Sequence, residues 1–234
     1  MPHAELPLWD DKSDAQKIET LKQMVDQLYD AIYADARYDL YEMLQDAIAD
    51  GDKEATDITT MKKMLLQYPN IMSSSCEVGH FTGSALVCDN QGRVLLHFHK
   101  SLNRWLQFGG HADVEESDFA KVAMRETIEE TGLKHLIFFP NREKPVPIDF
   151  DIHVIPARKN RPEHLHLDLR YMLLTIDPES LNPPDEESQQ MIWRPYDDFI
   201  NPSDPSDAEQ IDSALQRLIR KCKTLYYQRP TYKA

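Results

Sequence analysis

The chain has 234 residues, of which 41% are hydrophobic, and its formal net charge at pH 7 is −14. This hydrophobic content is enough to bury a sizeable core and excludes a chain that is disordered throughout. The mean hydropathy of −0.58 and the lack of an uninterrupted apolar run of about 20 residues exclude a transmembrane span, and the acidic charge argues against a protein that coats nucleic acid.

Cysteine content and the first residues of the chain predict a cellular compartment. Cys76, Cys88 and Cys222 are widely spaced and odd in number, which is typical of reduced thiols. The opening Met-Pro-His-Ala-Glu lacks the basic and apolar segments of a signal peptide. We therefore expect a cytoplasmic protein that does not associate with a membrane.

Residues 1–72 predict an all-helical accessory unit, because hydrophobic side chains recur there at intervals of three and four. The pattern predicts three helices: one over about 14–33 with Ser13 as a possible N-cap, one from Leu40 that ends before Gly51, and one from Thr56 or Asp57 to about Gln67. Such a unit packs on the next domain or on a second subunit, or it acts as a lid over a substrate. A homodimer is one of these open alternatives.

Residues 73–234 predict a second domain, in which strand-like runs replace the helical rhythm. The predicted strands are Phe81–Cys88, Arg93–His99, Trp105–Phe108, Leu136–Phe139, Ile148–Ile155, Leu165–Ile176 and Met191–Trp193. Two helices are predicted over about 118–131 and 207–224. Strands with interleaved helices predict an α/β or α+β layered domain.

The helix predicted over 118–131 contains an unusual group of acids. Glu126, Glu129 and Glu130 are spaced i, i+3 and i+4, which places three carboxylates on one helix face with Cβ atoms about 5–6 Å apart. Carboxylates this close repel one another unless a cation lies among them. Oxygen ligands suit Mg²⁺ or Mn²⁺, and Mg²⁺ is commonly bound by a few carboxylates together with substrate phosphates. The pattern therefore predicts a metal site and a phosphorylated ligand.

The residues around these acids support such a site. Gly109 and Gly110 follow a short predicted strand and allow the backbone to approach a ligand closely. Arg125 can hold a neighbouring carboxylate in a bidentate pair, and Glu116 can fold back toward the same centre. Gly132 is suited to end the helix.

The segment Gly110–Leu133 resembles the Nudix box, the signature of the Nudix hydrolases. The match consists of Gly110, five residues, Glu116, and then Arg125-Glu-Thr-Ile-Glu-Glu-Thr-Gly-Leu. The resemblance extends to about residues 79–200. It implies a Nudix fold, in which a mixed β-sheet is sandwiched between helices, and hydrolysis of a nucleoside diphosphate linked to another moiety with a divalent metal.

The resemblance also implies roles for individual residues. The implied metal ligands are Glu126, Glu129, Glu130 and Glu116. Glu126 or a later acid serves as general base, so the expected catalytic residues are Glu126, Glu129, Arg125 and Glu187. Glu187 lies where these enzymes often carry an additional acid.

The match departs from the usual pattern in two places. Eight residues separate Glu116 from Arg125 where the pattern has seven, so either Glu116 or Glu115 takes the role of the loop glutamate. The hydrophobic position after Arg-Glu is occupied by Thr127.

The strand that begins near residue 164 alternates strictly between polar and apolar side chains. His164, His166, Asp168 and Arg170 therefore share one face. If this face looks into the cleft, the histidines and Arg170 contact phosphates or an extra metal; if it faces water, they are ordinary exposed residues. His111 and His153 are candidates to join the group. The predicted substrate-binding residues are Gly109, Gly110, His111, His164, His166 and Arg170.

The resemblance to the Nudix family implies three candidate functions. The leading one is a metal-dependent pyrophosphohydrolase that acts on a small nucleotide-like diphosphate, with nucleic acid excluded except as capped RNA. A non-catalytic module that senses a nucleotide such as ADP-ribose is the second. A diphosphate isomerase on the same fold is the third, and Cys88 is the thiol to consider for it.

Overall fold

The structure is a computed structural model that describes residues 12–100, 102–113, 116–140, 143–158, 161–184, 190–201 and 210–228, with the backbone alone for 29–35. The helices are α1 (Asp14–Gln45), α2 (Asp52–Gln67), α3 (Phe119–Thr131), α4 (Tyr196–Ile200) and α5 (Ser213–Gln228). The strands are β1 (Gly79–Asp89), β2 (Arg93–His99), β3 (Arg104–Leu106), β4 (Phe108–His111), β5 (Leu136–Phe138), β6 (Asp149–Ile155), β7 (His164–Thr175) and β8 (Gln190–Pro195). Within these ranges, no helix has the length and apolar content needed to cross a membrane.

The N-terminal segment forms two helices where the sequence predicts three. Helix α1 runs without a break from Asp14 to Gln45 and joins the first two predicted helices, because no proline or glycine interrupts that stretch. Ser13 caps it as predicted, since its side chain accepts from the backbone N–H of Gln16 at 3.4 Å. Helix α2 begins at Asp52, directly after Gly51, and not at the predicted caps four to five residues later.

A mixed sheet forms the centre of the domain, as predicted. Its central path runs β3-β2-β1-β7-β5, while β4 pairs with β1, β6 pairs with β7, and β8 pairs with β2. Strands β1 and β7 are parallel and pair over their full shared length, which brings together residues more than 80 positions apart in the chain. The other pairings are antiparallel.

Helices cover both faces of this sheet, so the predicted sandwich is confirmed. On one face, α3 and the N-terminal helices pack against β1 through a core that contains Leu44, Met61 and Phe81, each with no exposed surface. On the other face, α5 packs against β1 through residues such as Leu86 and Leu218. The predicted boundary at residue 72 falls in the connection between α2 and β1, and the division into two domains stays a prediction.

Buried charges attach helices to the edge strand β6. Asp149, with no exposed surface, accepts from Nε of Arg217 at 2.6 Å and from Nη2 at 2.9 Å. Glu54 on α2 is equally buried; it accepts from the Phe150 N–H at 3.0 Å and from Nζ of Lys221 at 2.6 Å. These contacts connect α2 and α5 through paired charges, which keeps the carboxylates from being buried alone.

Candidate active site

Helix α3 packs on the sheet and places acidic residues beside strand β4. Its buried residues include Phe119, Val122 and Ala123, which pack toward β1. Asp118 caps the N-terminus by accepting from the backbone N–H of Ala120 at 3.1 Å. Gly132 ends the helix in the left-handed conformation at φ 69°, as the sequence predicts. The acidic residues therefore lie on a short helix that is capped at both ends and held to the sheet by its buried residues.

Arg125 lies at the centre of the acidic group. Its Nη1 donates to Oε1 of Glu126 at 2.8 Å and to Oε2 of Glu129 at 3.3 Å. Its Nη2 donates to Oε2 of Glu116 at 3.0 Å and to the carbonyl oxygen of His111 at 2.8 Å. One guanidinium thus holds three of the predicted ligand carboxylates and the end of β4 in one cluster.

The two glycines of β4 lie beneath these carboxylates. The backbone N–H of Gly109 donates to Oε1 of Glu130 at 3.1 Å, which places the fourth predicted ligand beside the cluster. A Cβ at Gly110 would lie 2.5 to 2.6 Å from the carboxyl atoms of Glu126, so only glycine leaves room for that side chain. Burial raises the pKa of Glu126, and the hydrogen bond from Arg125 offsets part of this rise.

The structure shows how the chain accommodates both departures from the usual motif. Glu116 reaches Arg125, while Glu115 lies outside the described residues. Thr127 has no exposed surface, and its hydroxyl donates to the carbonyl of Ala123 at 2.7 Å. The polar side chain at the hydrophobic position is therefore satisfied within its own helix.

The donor set suits a hard divalent cation. The side chains of Glu116 and Glu126 are 20% exposed and that of Glu129 is 58% exposed, so the oxygens are accessible from solvent. Arg125 compensates only part of the negative charge that faces it. Because Gly110 has no side chain, the carboxyl group of Glu126 fits directly against the backbone of β4. Oxygen-only ligands with surplus negative charge are what Mg²⁺ and Mn²⁺ prefer.

The comparisons with known proteins agree with this geometry. The model of the NUDIX domain matches residues 80–216, which is more than half of the chain. The chain belongs to the Nudix family. No curated protein sequence matches it significantly.

Solved Nudix structures resemble the chain at low identity. A Nudix-family hydrolase from Clostridium perfringens is 25% identical, with a TM-score of 0.48 over 62% of this chain and 97% of that chain. An Ap4A hydrolase from C. elegans is 18% identical, with a TM-score of 0.45 over 62% of this chain and 95% of that chain. A MutT Nudix hydrolase from Burkholderia pseudomallei is 18% identical, with a TM-score of 0.42 over 61% and 97%.

A cavity of about 400 Å³ adjoins the Nudix helix α3. It is lined by Lys121, Met124, Arg125, Ile128, Glu129 and Phe138. Apolar walls with a few charged groups are typical of sites that bind small molecules. Of the four predicted metal ligands, Glu129 is the one that lines this cavity.

Three of the four polar residues on this face of β7 are buried, while His166 is partly exposed, so the face is not an ordinary exposed surface. His164 is 5%, Asp168 2% and Arg170 4% exposed. Each of the three nitrogen atoms of Arg170 donates to a carboxylate, at 3.0 Å to Asp168, 3.5 Å to Asp149 and 2.9 Å to Asp151. Arg170 therefore pairs with buried carboxylates of the protein. These contacts do not themselves favour the predicted contact of Arg170 with substrate phosphates.

Histidines gather on the same sheet face, beyond Asp168. The ring of His80 lies 5.0 Å from that of His111, 5.2 Å from that of His164 and 4.9 Å from that of His166, measured between centroids. His153 joins as anticipated, 5.4 Å from His166. Burial is the main cause that lowers the pKa of His80 to about 3 and that of His166 to about 2, and the neighbouring histidines, with Arg161 beside His80, lower them further. Both rings are therefore neutral at pH 7.

One member of this histidine group is missing from the sequence-based site. His80 is absent from the predicted site because its closeness to His166 depends on the parallel register of β1 and β7. Within β1 itself, the sequence indicates a polar face only through the alternating polar residues His80, Thr82 and Ser84. The predicted catalytic Glu187 lies outside the described residues.

Proposed function

We propose that the protein is a metal-dependent Nudix hydrolase that cleaves the pyrophosphate linkage of a nucleoside diphosphate linked to another moiety. The observation that carries the proposal is the contact of Arg125 with Glu116, Glu126 and Glu129 directly above Gly110. Family membership supports hydrolysis of this bond type. The arrangement of the carboxylates supports Mg²⁺ or Mn²⁺ as the cofactor.

The residues have distinct roles in this proposal. Glu116, Glu126, Glu129 and Glu130 would hold the divalent ions. When bound, such ions neutralise phosphate charge and activate water. Arg125 orients the carboxylates, and Glu126 or Glu129 accepts the proton of the water that attacks phosphorus. The bond from that phosphorus to the bridging oxygen breaks, and a phosphate-bearing group leaves.

Substrate contacts are proposed around the same centre. Gly109 and Gly110 allow the diphosphate to approach the backbone of β4, and His111 extends this edge. His164 and His166 would bind the substrate only if it extends to the face of the sheet that carries the histidines. Glu187 is proposed as a further catalytic acid because of its position in the sequence.

The two other functions fit the site less well. A sensing module has no need for three carboxylates held around one arginine. An isomerase that used a thiol would need an accessible cysteine, whereas Cys88 has no exposed surface and packs in the core under α5. Hydrolysis is therefore the function that the described residues support best.

A substrate screen tests the proposal. ADP-ribose, nucleotide sugars, dinucleoside polyphosphates, nucleoside triphosphates and capped RNA are each incubated with Mg²⁺ or Mn²⁺, and released phosphate-bearing products are measured. We expect hydrolysis of at least one class that stops when EDTA removes the ions. Binding of a nucleotide without turnover would favour the sensing module, and turnover that persists in EDTA would contradict the metal requirement.

Self-association and cellular location are further parts of the proposal. On α1, Ile18, Leu21, Val25 and Leu28 are between 48% and 59% exposed, although the sequence predicts them as one apolar face. A second copy of the chain could cover this face, and light scattering would measure the mass of the particle. A cytoplasmic location agrees with three unpaired cysteines.

A further inference from the structure

We propose that His80, His164 and His166 form a buried site for a first-row transition metal ion, with Zn²⁺ as the best fit. One ring nitrogen from each residue can be chosen so that all three lie within 4.8 Å of one another. Among the described residues, no other group of three or more such side chains meets this criterion. The site is separate from the carboxylate cluster on α3.

Two of the three rings present an unused nitrogen to the group. Nε2 of His80 and Nε2 of His164 are buried and have no hydrogen-bond partner. These residues are 0% and 5% exposed, so water does not satisfy the nitrogens at the surface. Buried polar atoms without a partner are rare in proteins and call for an explanation. An ion bound between the rings supplies one.

The partner of the opposite ring nitrogen places a lone pair on Nε2 of His164. Nδ1 of His164 lies 2.9 Å from the carbonyl oxygen of Pro162, which can only accept, so Nδ1 carries the proton. Neutral imidazole has one N–H, so Nε2 of His164 carries the lone pair that a metal needs. Metal-binding histidines commonly donate their other N–H to a backbone carbonyl in this way.

His80 has the same kind of acceptor, with a cation nearby. Its Nδ1 lies 3.4 Å from the carbonyl oxygen of Cys76. Nη2 of Arg161 is 3.3 Å from the same nitrogen and also donates to the carbonyl of Ser74. The carbonyl of Cys76 favours a proton on Nδ1, whereas the guanidinium, which can only donate, favours a lone pair there. A metal bound at Nε2 of His80 therefore requires the tautomer in which Nδ1 donates to Cys76.

His111 lies beside this group without belonging to it, since the ring nitrogens within 4.8 Å of one another are those of His80, His164 and His166. Nε2 of His111 lies 3.2 Å from Nε2 of His166. Because imidazole suits Zn²⁺ and its neighbours in the first row while Mg²⁺ prefers oxygen, the histidines select a different ion from the carboxylates.

The fold explains why these residues meet. His80 pairs with His166 across the parallel strands β1 and β7, and His111 pairs with Thr82 across β1 and β4. The polar alternation puts all the rings on the sheet face opposite α3. The carbonyl of His111, the residue after Gly110, accepts from Arg125. A metal near the His111 ring would therefore help to hold this end of β4 beside the carboxylate cluster.

Zinc titration of the full-length chain tests the proposal independently of hydrolysis. Metal-free protein is titrated with Zn²⁺ by calorimetry in the presence of excess Mg²⁺, which occupies the carboxylate centre. We expect one Zn²⁺ per chain. The variants His164→Gln and His166→Gln should lose more than the ~10–100-fold in affinity that removal of an outer-shell partner costs. The exposed His135 is the matched control, and His135→Gln should bind Zn²⁺ as the wild type does.

Two further results separate this site from the proposed active site. Glu129→Gln should retain full Zn²⁺ affinity, and Zn²⁺ should raise the melting temperature of the wild-type protein. If a histidine variant does not fold, Co²⁺ bound to the wild type should show the visible absorption of a four-coordinate site with histidine nitrogen ligands. Absence of Zn²⁺ binding in the wild type, affinity unchanged in folded His164→Gln, loss of affinity in Glu129→Gln, or a purely octahedral Co²⁺ spectrum would each overturn the proposal.

Discussion

Nη1 of Arg125 lies 2.8 Å from Oε1 of Glu126, so two adjacent residues of one helix form an ion pair. The same nitrogen reaches Glu129, one turn later, at 3.3 Å. Through Nη2 the guanidinium also binds Glu116, in the loop before the helix. The direction of each carboxylate therefore depends on the planar fork of a single arginine.

Arg125→Lys should lower activity although it keeps the positive charge. A lysine ammonium cannot contact several carboxylates with the fixed geometry of a guanidinium. We expect a loss of ~10–100-fold in kcat/KM, the usual effect of removing a partner that orients metal ligands. Arg104→Lys, at an arginine with a 54% exposed side chain, is the matched control and should leave activity unchanged. Equal activity of Arg125→Lys and the wild type would refute the orienting role.

Gly110→Ala should reduce activity without unfolding the protein. A Cβ at this position would lie 2.5 Å from Cδ of Glu126 and displace that side chain, whose terminal group can move at low cost. The backbone of Gly110 is not among those with positive φ, so alanine fits the strand. Kinetics and thermal unfolding on one preparation check this, and full activity at an unchanged melting temperature would contradict the proposed place of Glu126.

Arg217→Met should destabilise the fold. Arg217 is 6% exposed and donates twice to the buried Asp149, so its loss leaves a carboxylate with fewer partners. Breaking such a pair costs about 3–5 kcal/mol. Arg220→Met on the exposed side of the same helix should change the free energy of unfolding by no more than ~0.5 kcal/mol. Urea unfolding of both variants measures the difference, and similar values for the two would disprove the supporting role.

Asp151→Asn should flatten the dependence of stability on acid pH. Burial raises the pKa of Asp151, but Arg170, His153 and Lys53 outweigh burial and lower it well below the ordinary value. A lowered pKa in the folded state means that stability is full above the unfolded pKa of about 3.9 and is lost as pH falls below it. Urea unfolding between neutral and acid pH should show a steeper loss for the wild type than for the variant. Identical slopes would show that Asp151 contributes no pH-dependent stability.

The sequence predicts that the acidic residues of α3 and Arg125 group together, because these residues are local. Arg125, Glu126, Glu129 and Glu130 lie within two turns of one helix, and helical spacing alone places them together. The spacing of hydrophobic residues along the chain likewise predicts the strands and the layered fold. The sequence predicts two helices where α1 is continuous, because the hydrophobic residues up to Ile32 and those from Leu40 onward form two groups along the chain.

The histidine group and the buried charges could not be predicted in full, because they depend on pairing between distant segments. His80 meets His166 only through the parallel register of two strands. Asp149 meets Arg217 across 68 positions, and Glu54 meets Lys221 across 167. The alternation of polar and apolar residues along β7 predicts that Arg170 and Asp168 lie on one face of the strand. It does not predict that this face is buried.

The most direct test of the central claim is a comparison of kcat/KM for the best substrate of the screen, at saturating Mg²⁺, between the wild type and Glu129→Gln and Glu130→Gln. Removing a carboxylate that holds the ion forfeits several kcal/mol of charge stabilisation, which corresponds to a loss of ~100-fold or more. Glu163→Gln, an exposed control, should match the wild type. Losses of this size in both Nudix variants are the predicted result, and activity that survives both substitutions would contradict the assignment of these carboxylates.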